Sequence, residues 1–202
     1  MTDHYYTRRP ETEHDRRTHE ATLRGRTYRF VTDAGVFAKA GVDYGSRVLI
    51  EALELPPDAD VLDVGCGYGP IGLAASQLVP EGRVTMVDIN ERAVALAREN
   101  ARLNGIANVT VLQSDLYEAV KDERYDAILT NPPIRAGKSV VHRIFDEGRT
   151  MLKEGGELWV VIQKKQGAPS AEAKLELLFG NVEEVTKDKG YRIFRAVKTK
   201  AE

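Results

Sequence analysis

The chain has 202 residues, of which 42% are hydrophobic and 30% are charged, and its formal net charge is −2. These values predict one globular domain and argue against a protein that coats nucleic acid over its whole surface, while the only cysteine, Cys66, excludes an intrachain disulfide and a Cys-rich zinc site. No apolar run approaches the roughly 20 residues that span a bilayer, and the N-terminus lacks the apolar centre of a signal peptide, so we expect a cytoplasmic protein without a membrane partner.

The first part of the chain, residues 1–55, is predicted to form an extension that packs on a core of residues 56–202. Within the extension, residues 18–37 favour a short hairpin, and residues 44–55 favour a helix that stops before two prolines. The opening stretch "HYYTRRP" mixes arginines with tyrosines, which is typical of surfaces that bind single-stranded RNA and equally of a charged tail.

Short apolar runs alternate with helical patterns from about residue 58 onward. The runs are rich in β-branched residues, as expected of parallel strands that are covered on both faces. The predicted strands are residues 59–65, 82–88, 108–115, 125–130 and 156–163, the predicted helices are residues 69–78, 91–105 and 138–152, and a terminal hairpin is predicted around Lys189-Gly190. This alternation predicts a doubly wound α/β fold, in which ligands bind at the carboxyl ends of the strands.

A glycine-rich turn, "VLDVGCGYGPIG", follows the first strand of the predicted core. Its glycines, Gly65, Gly67 and Gly69, allow a tight turn and let the backbone approach a ligand closely. The spacing of Gly67, Gly69 and Gly72 also fits the dinucleotide fingerprint G-x-G-x-x-G, so a nicotinamide-dependent oxidoreductase is one hypothesis. Asp63 argues against it, because a carboxylate at this strand end would repel a pyrophosphate and suits the ammonium group of an amino-acid moiety. Cys66 is interpreted as a small residue that fills the turn.

Carboxylates also follow the next two predicted strands. Asp88 lies where a carboxylate can accept hydrogen bonds from both ribose hydroxyls. Asp115 is placed to accept from an adenine amino group, and Ile89 and Leu116 are candidate apolar walls for that ring. Three strand-end carboxylates beside a glycine turn therefore predict a nucleoside-containing cofactor that carries positive charge.

These segments resemble a class I S-adenosylmethionine-dependent methyltransferase; the matching stretches are "DVGCGYG", "VDINERAVALARENA", "QSDLY" and "LTNPPIRAGK". More narrowly, "DAGVFAKAGVDYGSRVLIEAL" at residues 33–53 is similar to an element of the small-subunit ribosomal RNA guanine-N2 methyltransferase family. The resemblance covers nearly the whole chain. It implies a Rossmann-like, seven-stranded, mostly parallel sheet with an antiparallel C-terminal hairpin, helices on both faces, and S-adenosyl-L-methionine as the cofactor.

The motif "NPPI" follows the fourth predicted strand and is the candidate catalytic segment: Asn131, Pro132, Pro133 and Ile134. The Asn131 side-chain oxygen and the Pro132 carbonyl oxygen are predicted to accept the two N–H groups of an exocyclic amine, and Asn131 also borders the cofactor. The prolines supply no competing donor and little freedom, which preorganises the two acceptors. The family most often has an aromatic residue in fourth place, so Ile134 leaves base stacking to Phe37 or Tyr68, or replaces it with an apolar contact.

Four cations are candidate substrate-binding residues that meet phosphates near the site, or are simply solvated: Arg135, Lys138, Lys164 and Lys165. His142 is interpreted as a packing or surface histidine. No metal is assigned, because the histidines near the N-terminus, His4, His14 and His19, lack the spacing of ligands.

The expected activity is methylation of guanine N2 in 16S ribosomal RNA, with the base unstacked into the pocket. Three alternatives keep the chemistry and change the substrate: a tRNA guanine, an adenine N6 or a protein glutamine amide. A non-enzymatic RNA-binding or assembly protein is disfavoured, because the strand-end carboxylates and Asn131 are all present. The expected partner is ribosomal RNA or a ribosomal subunit, and a homodimer is one way to select the target.

Overall fold

The computed structural model describes residues 7–38 and 40–200. The strands are β1 (Arg17–Leu23), β2 (Arg26–Thr32), β3 (Asp60–Val64), β4 (Arg83–Asp88), β5 (Val109–Gln113), β6 (Tyr125–Thr130), β7 (Leu152–Gln163), β8 (Glu183–Asp188) and β9 (Tyr191–Val197). Seven of them form a sheet with the order β5-β4-β3-β6-β7-β9-β8, in which the five strands from β5 to β7 are parallel to their neighbours and β9 and β8 are antiparallel. The helices are α1 (Tyr44–Ala52), α2 (Pro70–Ser76), α3 (Glu91–Leu103), α4 (Lys138–Met151) and α5 (Ala168–Phe179).

Two apolar clusters cover the two faces of this sheet. One contains side chains of α1, α2 and α3, and the other contains side chains of α4 and α5. Neighbouring strand residues alternate between them: Leu158 belongs to the second cluster and Trp159 to the first, and both are fully buried. Burial on both faces explains the continuous apolar runs of the strands and confirms the predicted doubly wound fold.

The predicted N-terminal hairpin is present as β1 and β2, which form a separate two-stranded sheet. Its turn residues Arg24 and Gly25 have φ values of 50° and 79°, the left-handed conformation that tight hairpin turns require. The hairpin is joined to α3 by Asn100, which accepts from Val31 N at 2.8 Å and donates to Val31 O at 3.0 Å. The division into an extension and a core remains a prediction.

The C-terminal hairpin is confirmed as β8 and β9, with Lys189 and Gly190 at positive φ in its turn. One helix, α5, was not predicted; Pro169 lies in its first turn and Gly180 ends it in the left-handed conformation. The strand β7 begins at Leu152, earlier than expected, because its first residue already pairs with Tyr125 before the two glycines. None of the helices in residues 7–38 and 40–200 is long and apolar enough to cross a bilayer.

Candidate active site

A cavity of about 260 Å³ opens at the carboxyl ends of β3, β4 and β6. One side is formed by the glycine turn and the strand ends, and the other by the loop before α1 together with the residues after β6. Most of the residues that the sequence placed at a cofactor or at a substrate therefore share one cavity, although Gly69, which directly precedes α2, does not line it. Of the predicted site residues, the lining includes Phe37, Gly65, Cys66, Gly67, Asp88, Ile89, Leu116, Asn131, Pro132, Pro133, Ile134 and Arg135.

The glycine turn is bound to the neighbouring strand. The amides of Gly65 and Cys66 both donate to Val87 O at 2.9 Å, and Gly67 N donates to the Asp88 Oδ2 atom at 2.8 Å. Gly65 and Gly67 have φ values of 74° and 56°, and a Cβ atom at either would meet no protein atom within 4 Å. Both glycines line the cavity, so a side chain there would occupy the space that a ligand needs.

Asp63 lies beneath the cavity and is fully buried. Its Oδ2 atom accepts from Gly72 N in α2 at 2.9 Å, whereas its Oδ1 atom is buried without a hydrogen-bond partner among the described residues. Burial raises the pKa of Asp63 to about 7, and the nearby Asp88 carboxylate adds to the rise. Asp63 is not part of the cavity lining, so direct contact with a cofactor ammonium group stays a prediction.

Asp88 borders the cavity at the end of β4 and is held by hydrogen bonds from backbone amides. Besides the bond from Gly67, its Oδ1 atom accepts from Asn90 N at 2.9 Å. Burial raises the pKa of Asp88 to about 6, although the backbone hydrogen bonds oppose the rise. A carboxylate has more lone pairs than these two bonds use, so it can still accept from hydroxyl groups of a ligand.

Directly after β5, Ser114 and Leu116 line the cavity, but Asp115 does not. Leu116 has a φ of 51°, and Ser114 Oγ donates to the Leu116 carbonyl at 2.7 Å, which stabilises this unusual turn. The Asp115 carboxylate lies 3.6 Å from the Arg143 guanidinium. The predicted contact between Asp115 and an adenine amino group is therefore not supported by the lining of the cavity and remains untested.

Asn131 is held by two side chains that the sequence analysis did not assign to the site. Its Nδ2 atom donates to Asp43 Oδ2 and to Ser46 Oγ, each at 3.1 Å. Asp43 also caps α1 by accepting from Ser46 N at 3.1 Å. Because a carboxylate only accepts, the amide nitrogen of Asn131 must face Asp43. The Asn131 Oδ1 atom consequently faces away from Asp43, and no donor among the described residues is bonded to it.

The backbone after Asn131 leaves one carbonyl available. Pro133 O accepts from Ala136 N at 2.9 Å, and Ile134 O accepts from Gly137 N at 3.1 Å, within a short 3-10 turn. Pro132 O has no backbone donor in the described part of the chain. Asn131 and Pro132 both line the cavity, so two neighbouring lining residues each carry an acceptor without a donor among the described residues, one on a side chain and one on the backbone.

Aromatic rings border the cavity at its mouth. Phe37 is 46% exposed, and Tyr191 at the start of β9 also lines the cavity. Tyr68 lines it as well, but it is 2% exposed and packs edge-on against Phe30, with ring centroids 5.7 Å apart. Phe37 and Tyr191 are therefore better placed than Tyr68 to contact a base, and Ile134 adds an apolar surface beside them.

The loop that carries Phe37 is attached to the Asp88 turn. Asn90 Nδ2 donates to Gly35 O at 2.8 Å, and Arg92 Nη1 donates to Ala34 O at 2.6 Å. The substrate side and the cofactor side of the cavity are thus connected by hydrogen bonds to the start of α3.

Three of the predicted phosphate contacts do not line the cavity: Lys138, Lys164 and Lys165 are exposed outside it, and Gln166 lines it instead.

The remaining residues singled out in the sequence have no catalytic features in the structure. Burial lowers the pKa of His142 and the neighbouring lysines add to the decrease, while its ring packs on Phe145. Burial holds the pKa of the Cys66 thiol well above its usual range, which disfavours a nucleophilic thiolate. No cluster of three or more metal-ligating side chains occurs in residues 7–38 and 40–200, and His4 lies outside the described residues.

Comparison with protein families gives a match over residues 27–195 to the model described as "Methyltransferase small domain". The uncharacterized protein YbxB of Bacillus subtilis is 52% identical over 200 residues, covering 98% of this chain and 100% of that relative. Ribosomal RNA large subunit methyltransferase G of Streptomyces avermitilis is 36% identical and covers 82% of this chain, but this chain covers only 44% of it.

Among solved structures, the T. thermophilus 16S rRNA guanine-N2 methyltransferase RsmC, in complex with AdoMet and guanosine, superposes with a TM-score of 0.81 at 29% identity. The match covers 94% of this chain and 52% of that one. The chain therefore spans about half the length of the named ribosomal RNA methyltransferases that it matches.

Proposed function

Because the chain belongs to the methyltransferase small domain family, we propose that it transfers a methyl group from S-adenosylmethionine to the exocyclic N2 of a guanine in ribosomal RNA. The observation that carries the proposal is the pair of acceptors at Asn131 Oδ1 and Pro132 O, which have no donor among the described residues and border the same cavity as the glycine turn. The names of the relatives support both the reaction and the class of RNA.

The residues on the glycine side of the cavity fit the cofactor. The open space over Gly65 and Gly67 admits a ligand backbone, and Asp88 can accept from ribose hydroxyls. Two carboxyl groups here, Asp63 and Asp88, suit a ligand with positive charge better than a pyrophosphate, which argues against the dehydrogenase hypothesis. When bound, S-adenosylmethionine supplies an electrophilic methyl group on a sulfonium.

The residues on the other side prepare the nucleophile. The lone pair of an exocyclic amine is delocalised into the base, so the nitrogen attacks poorly while it is planar. Hydrogen bonds from its two N–H groups to Asn131 Oδ1 and Pro132 O favour a pyramidal nitrogen with its lone pair available for attack. The two prolines and the hydrogen bonds from Asn131 to Asp43 and Ser46 fix these acceptors before the base arrives, which is electrostatic preorganisation.

The ribosomal subunit that carries the target is part of the proposal. Our expectation from the sequence is 16S ribosomal RNA, as in the T. thermophilus neighbour, whereas the Streptomyces relative is named for the large subunit. Cytoplasmic location, RNA as the partner and a possible homodimer remain predictions that follow from this function.

Nucleoside mass spectrometry tests the proposal. The 16S ribosomal RNA, the 23S ribosomal RNA and the tRNA from a strain that lacks the gene are analysed separately, before and after treatment with purified protein and S-adenosylmethionine. One of the two ribosomal RNAs is expected to lack N2-methylguanosine and to regain it with the wild-type protein but not with Asn131→Ala. If neither lacks N2-methylguanosine, the substrate assignment is wrong; a loss confined to tRNA or to N6-methyladenosine would identify one of the alternative substrates.

A further inference from the structure

The side chain of Asp43 offers the cavity an oxygen that the scheme above does not use. Its Oδ2 atom is occupied by Ser46 N and Asn131 Nδ2, each at 3.1 Å. Its Oδ1 atom has no hydrogen-bond partner among the described residues, and Asp43 lines the cavity. Because the two bonds to Oδ2 fix the carboxylate, the position of the second oxygen is also fixed.

This oxygen belongs to a group in direct contact with the catalytic amide. Asp43 and Asn131 are hydrogen-bonded to each other, and both border the same wall of the cavity. The Asp43 carboxylate therefore adjoins this pair of acceptors, and an amine bound to Asn131 Oδ1 and Pro132 O can turn the adjoining atom of its ring or chain towards Asp43. A carboxylate oxygen in that position accepts a hydrogen bond and is repelled by a lone pair.

The atom next to the amine differs among the candidate substrates. In guanine, the amine at C2 lies between two ring nitrogens: N1–H, which is a donor on the Watson–Crick edge, and N3, which carries a lone pair on the opposite side. In adenine and cytosine, the amine adjoins a ring nitrogen with a lone pair, and in a glutamine amide it adjoins a carbonyl oxygen. Guanine is therefore the only one of these substrates that presents donors to Asn131, Pro132 and Asp43 together, since enzymes that flip a base read its Watson–Crick edge.

We propose that Asp43 is the specificity-determining residue of this site, and that its Oδ1 atom accepts a hydrogen bond from guanine N1–H beside the amine that is methylated. This inference rests on the proposed function and deepens it, because it names the group that separates guanine from the other amines. The side chain does not contact the transferred methyl group and takes no proton from the amine.

A comparison of two nucleosides tests the inference. Guanosine and 2-aminopurine riboside both carry the 2-amine, but N1 is a donor in the first and an acceptor in the second. Titration calorimetry of each nucleoside, with S-adenosylhomocysteine present, is expected to show that the wild type binds guanosine at least about tenfold more tightly, as for a hydrogen bond to a charged group. Equal affinities, or no binding of guanosine up to millimolar concentration, would overturn the inference.

The two nucleosides also differ at O6, which 2-aminopurine riboside lacks. Comparing the wild type with variants separates the contribution of N1 from that of O6. Asp43→Asn keeps the helix cap and an acceptor for Asn131, but presents an amide N–H₂ to the base. Its preference for guanosine is expected to fall about tenfold or to reverse, and an unchanged preference contradicts the role of Asp43. Because O6 is absent in the same probe for both proteins, its contribution cancels in this comparison.

Ser46→Ala is the matched control, since it removes the other partner of Asn131 without changing the edge that faces N1. We expect the ratio of the two affinities to stay within about twofold of the wild-type ratio, while methyl transfer slows; a ratio that shifts as far as in Asp43→Asn would mean that both residues act only through Asn131. Circular dichroism and cofactor titration confirm that each variant is folded. Failure to methylate ribosomal RNA together with a retained preference for guanosine would overturn the proposed function and leave this inference standing.

Discussion

The orientation of Asn131 depends on two residues that follow the same short loop. Asp43 and Ser46 belong to the start of α1 and bind the amide nitrogen of Asn131, which directly follows β6. Ser46 is 3% exposed, so its hydroxyl does not exchange this partner freely with water. The amide is thus held by protein contacts in the absence of substrate, and its oxygen needs no reorganisation when a base enters.

Replacement of Asn131 by alanine removes one acceptor of the amine and leaves the glycine turn intact. We expect methyl transfer to ribosomal RNA to fall about 100- to 1,000-fold, the range seen when one preorganised polar group is lost. The dissociation constant for S-adenosylmethionine, measured by calorimetry, is expected to change only a few-fold. Equal losses in transfer and cofactor affinity would show that Asn131 mainly builds the cofactor pocket.

The strand-end residues around the cavity were predictable, whereas their partners were not. Gly65, Gly67, Asp88 and Asn131 carry a local signal, because each follows an apolar strand in a doubly wound pattern. Tyr191 carries none, because it reaches the cavity only through the pairing of β9 with β7. Asp43 and Ser46 were visible as part of a family-like element, but their contact with Asn131 is a tertiary feature.

The packing of elements around the cavity depends on close approaches at glycines. In α1, a Cβ atom added to Gly45 would lie 2.9 Å from the Cδ1 and Cε1 atoms of Tyr191. At the start of β4, a Cβ atom on Gly82 would lie 2.1 Å from the Ala59 carbonyl oxygen. The contact at Gly45 is with a side chain that can move, whereas the contact at Gly82 is with the backbone. Alanine substitutions at the two glycines should therefore destabilise the fold to different extents.

Gly45→Ala is expected to displace the Tyr191 ring from the mouth of the cavity. Overpacking of this kind costs about 1–3 kcal/mol of unfolding free energy, and we expect guanosine affinity to fall while S-adenosylmethionine affinity is retained. In the double variant Gly45→Ala/Tyr191→Ala the overlap is absent, so the destabilisation should be smaller than the sum of the two single changes. If the losses of unfolding free energy measured in urea are additive, the Tyr191 ring does not pack against Gly45.

Gly82→Ala should be more damaging, because the clash is with the backbone carbonyl oxygen of Ala59, directly before β3. We expect a loss of about 3 kcal/mol or more in unfolding free energy, as for other severe steric changes. Gly25→Ala is the matched control: it lies at φ 79° with nothing within 4 Å, so only backbone strain of about 1–2 kcal/mol applies. Similar unfolding midpoints for the two variants would contradict this ranking.

The molecule as a whole contains two acidic groups whose pKa values are raised by burial under the cofactor side of the cavity. Asp63 is raised to about 7 and Asp88 to about 6, from an ordinary value of 3.8. At a pH above these two pKa values, the folded protein contains two neighbouring carboxylates, and few positive charges lie nearby to offset them. A cationic ligand relieves this cost, so cofactor binding and proton release should be linked.

The free protein should therefore lose stability as pH rises. Below about pH 4 the two carboxyls are protonated in both the folded and unfolded states; between about pH 4 and pH 7 the unfolded state releases its protons first, so the folded state is progressively disfavoured. For Asp63 alone the loss is on the order of 4 kcal/mol. Urea unfolding at pH 5, 6, 7 and 8 measures this slope.

Asp63→Asn can still accept from Gly72 N but cannot ionise, so it should flatten the slope and unfold at higher urea than the wild type at pH 8. Asp122→Asn, the same change at an exposed residue, is the control for the substitution itself. A wild-type stability that rises between pH 5 and pH 8 would contradict the assignment of a raised pKa to Asp63.

The bond between Asp43 and Asn131 spans 88 residues of sequence, and Tyr191 joins the same cavity from near the C-terminus. During synthesis the chain emerges from its N-terminus, so the glycine turn and Asn131 are made long before β9 can pair with β7. The cofactor side is complete in a shorter length of chain than the substrate side. The proposed transfer to RNA therefore depends on the pairing of β9 with β7, which can form only after the cofactor side of the cavity has been synthesised.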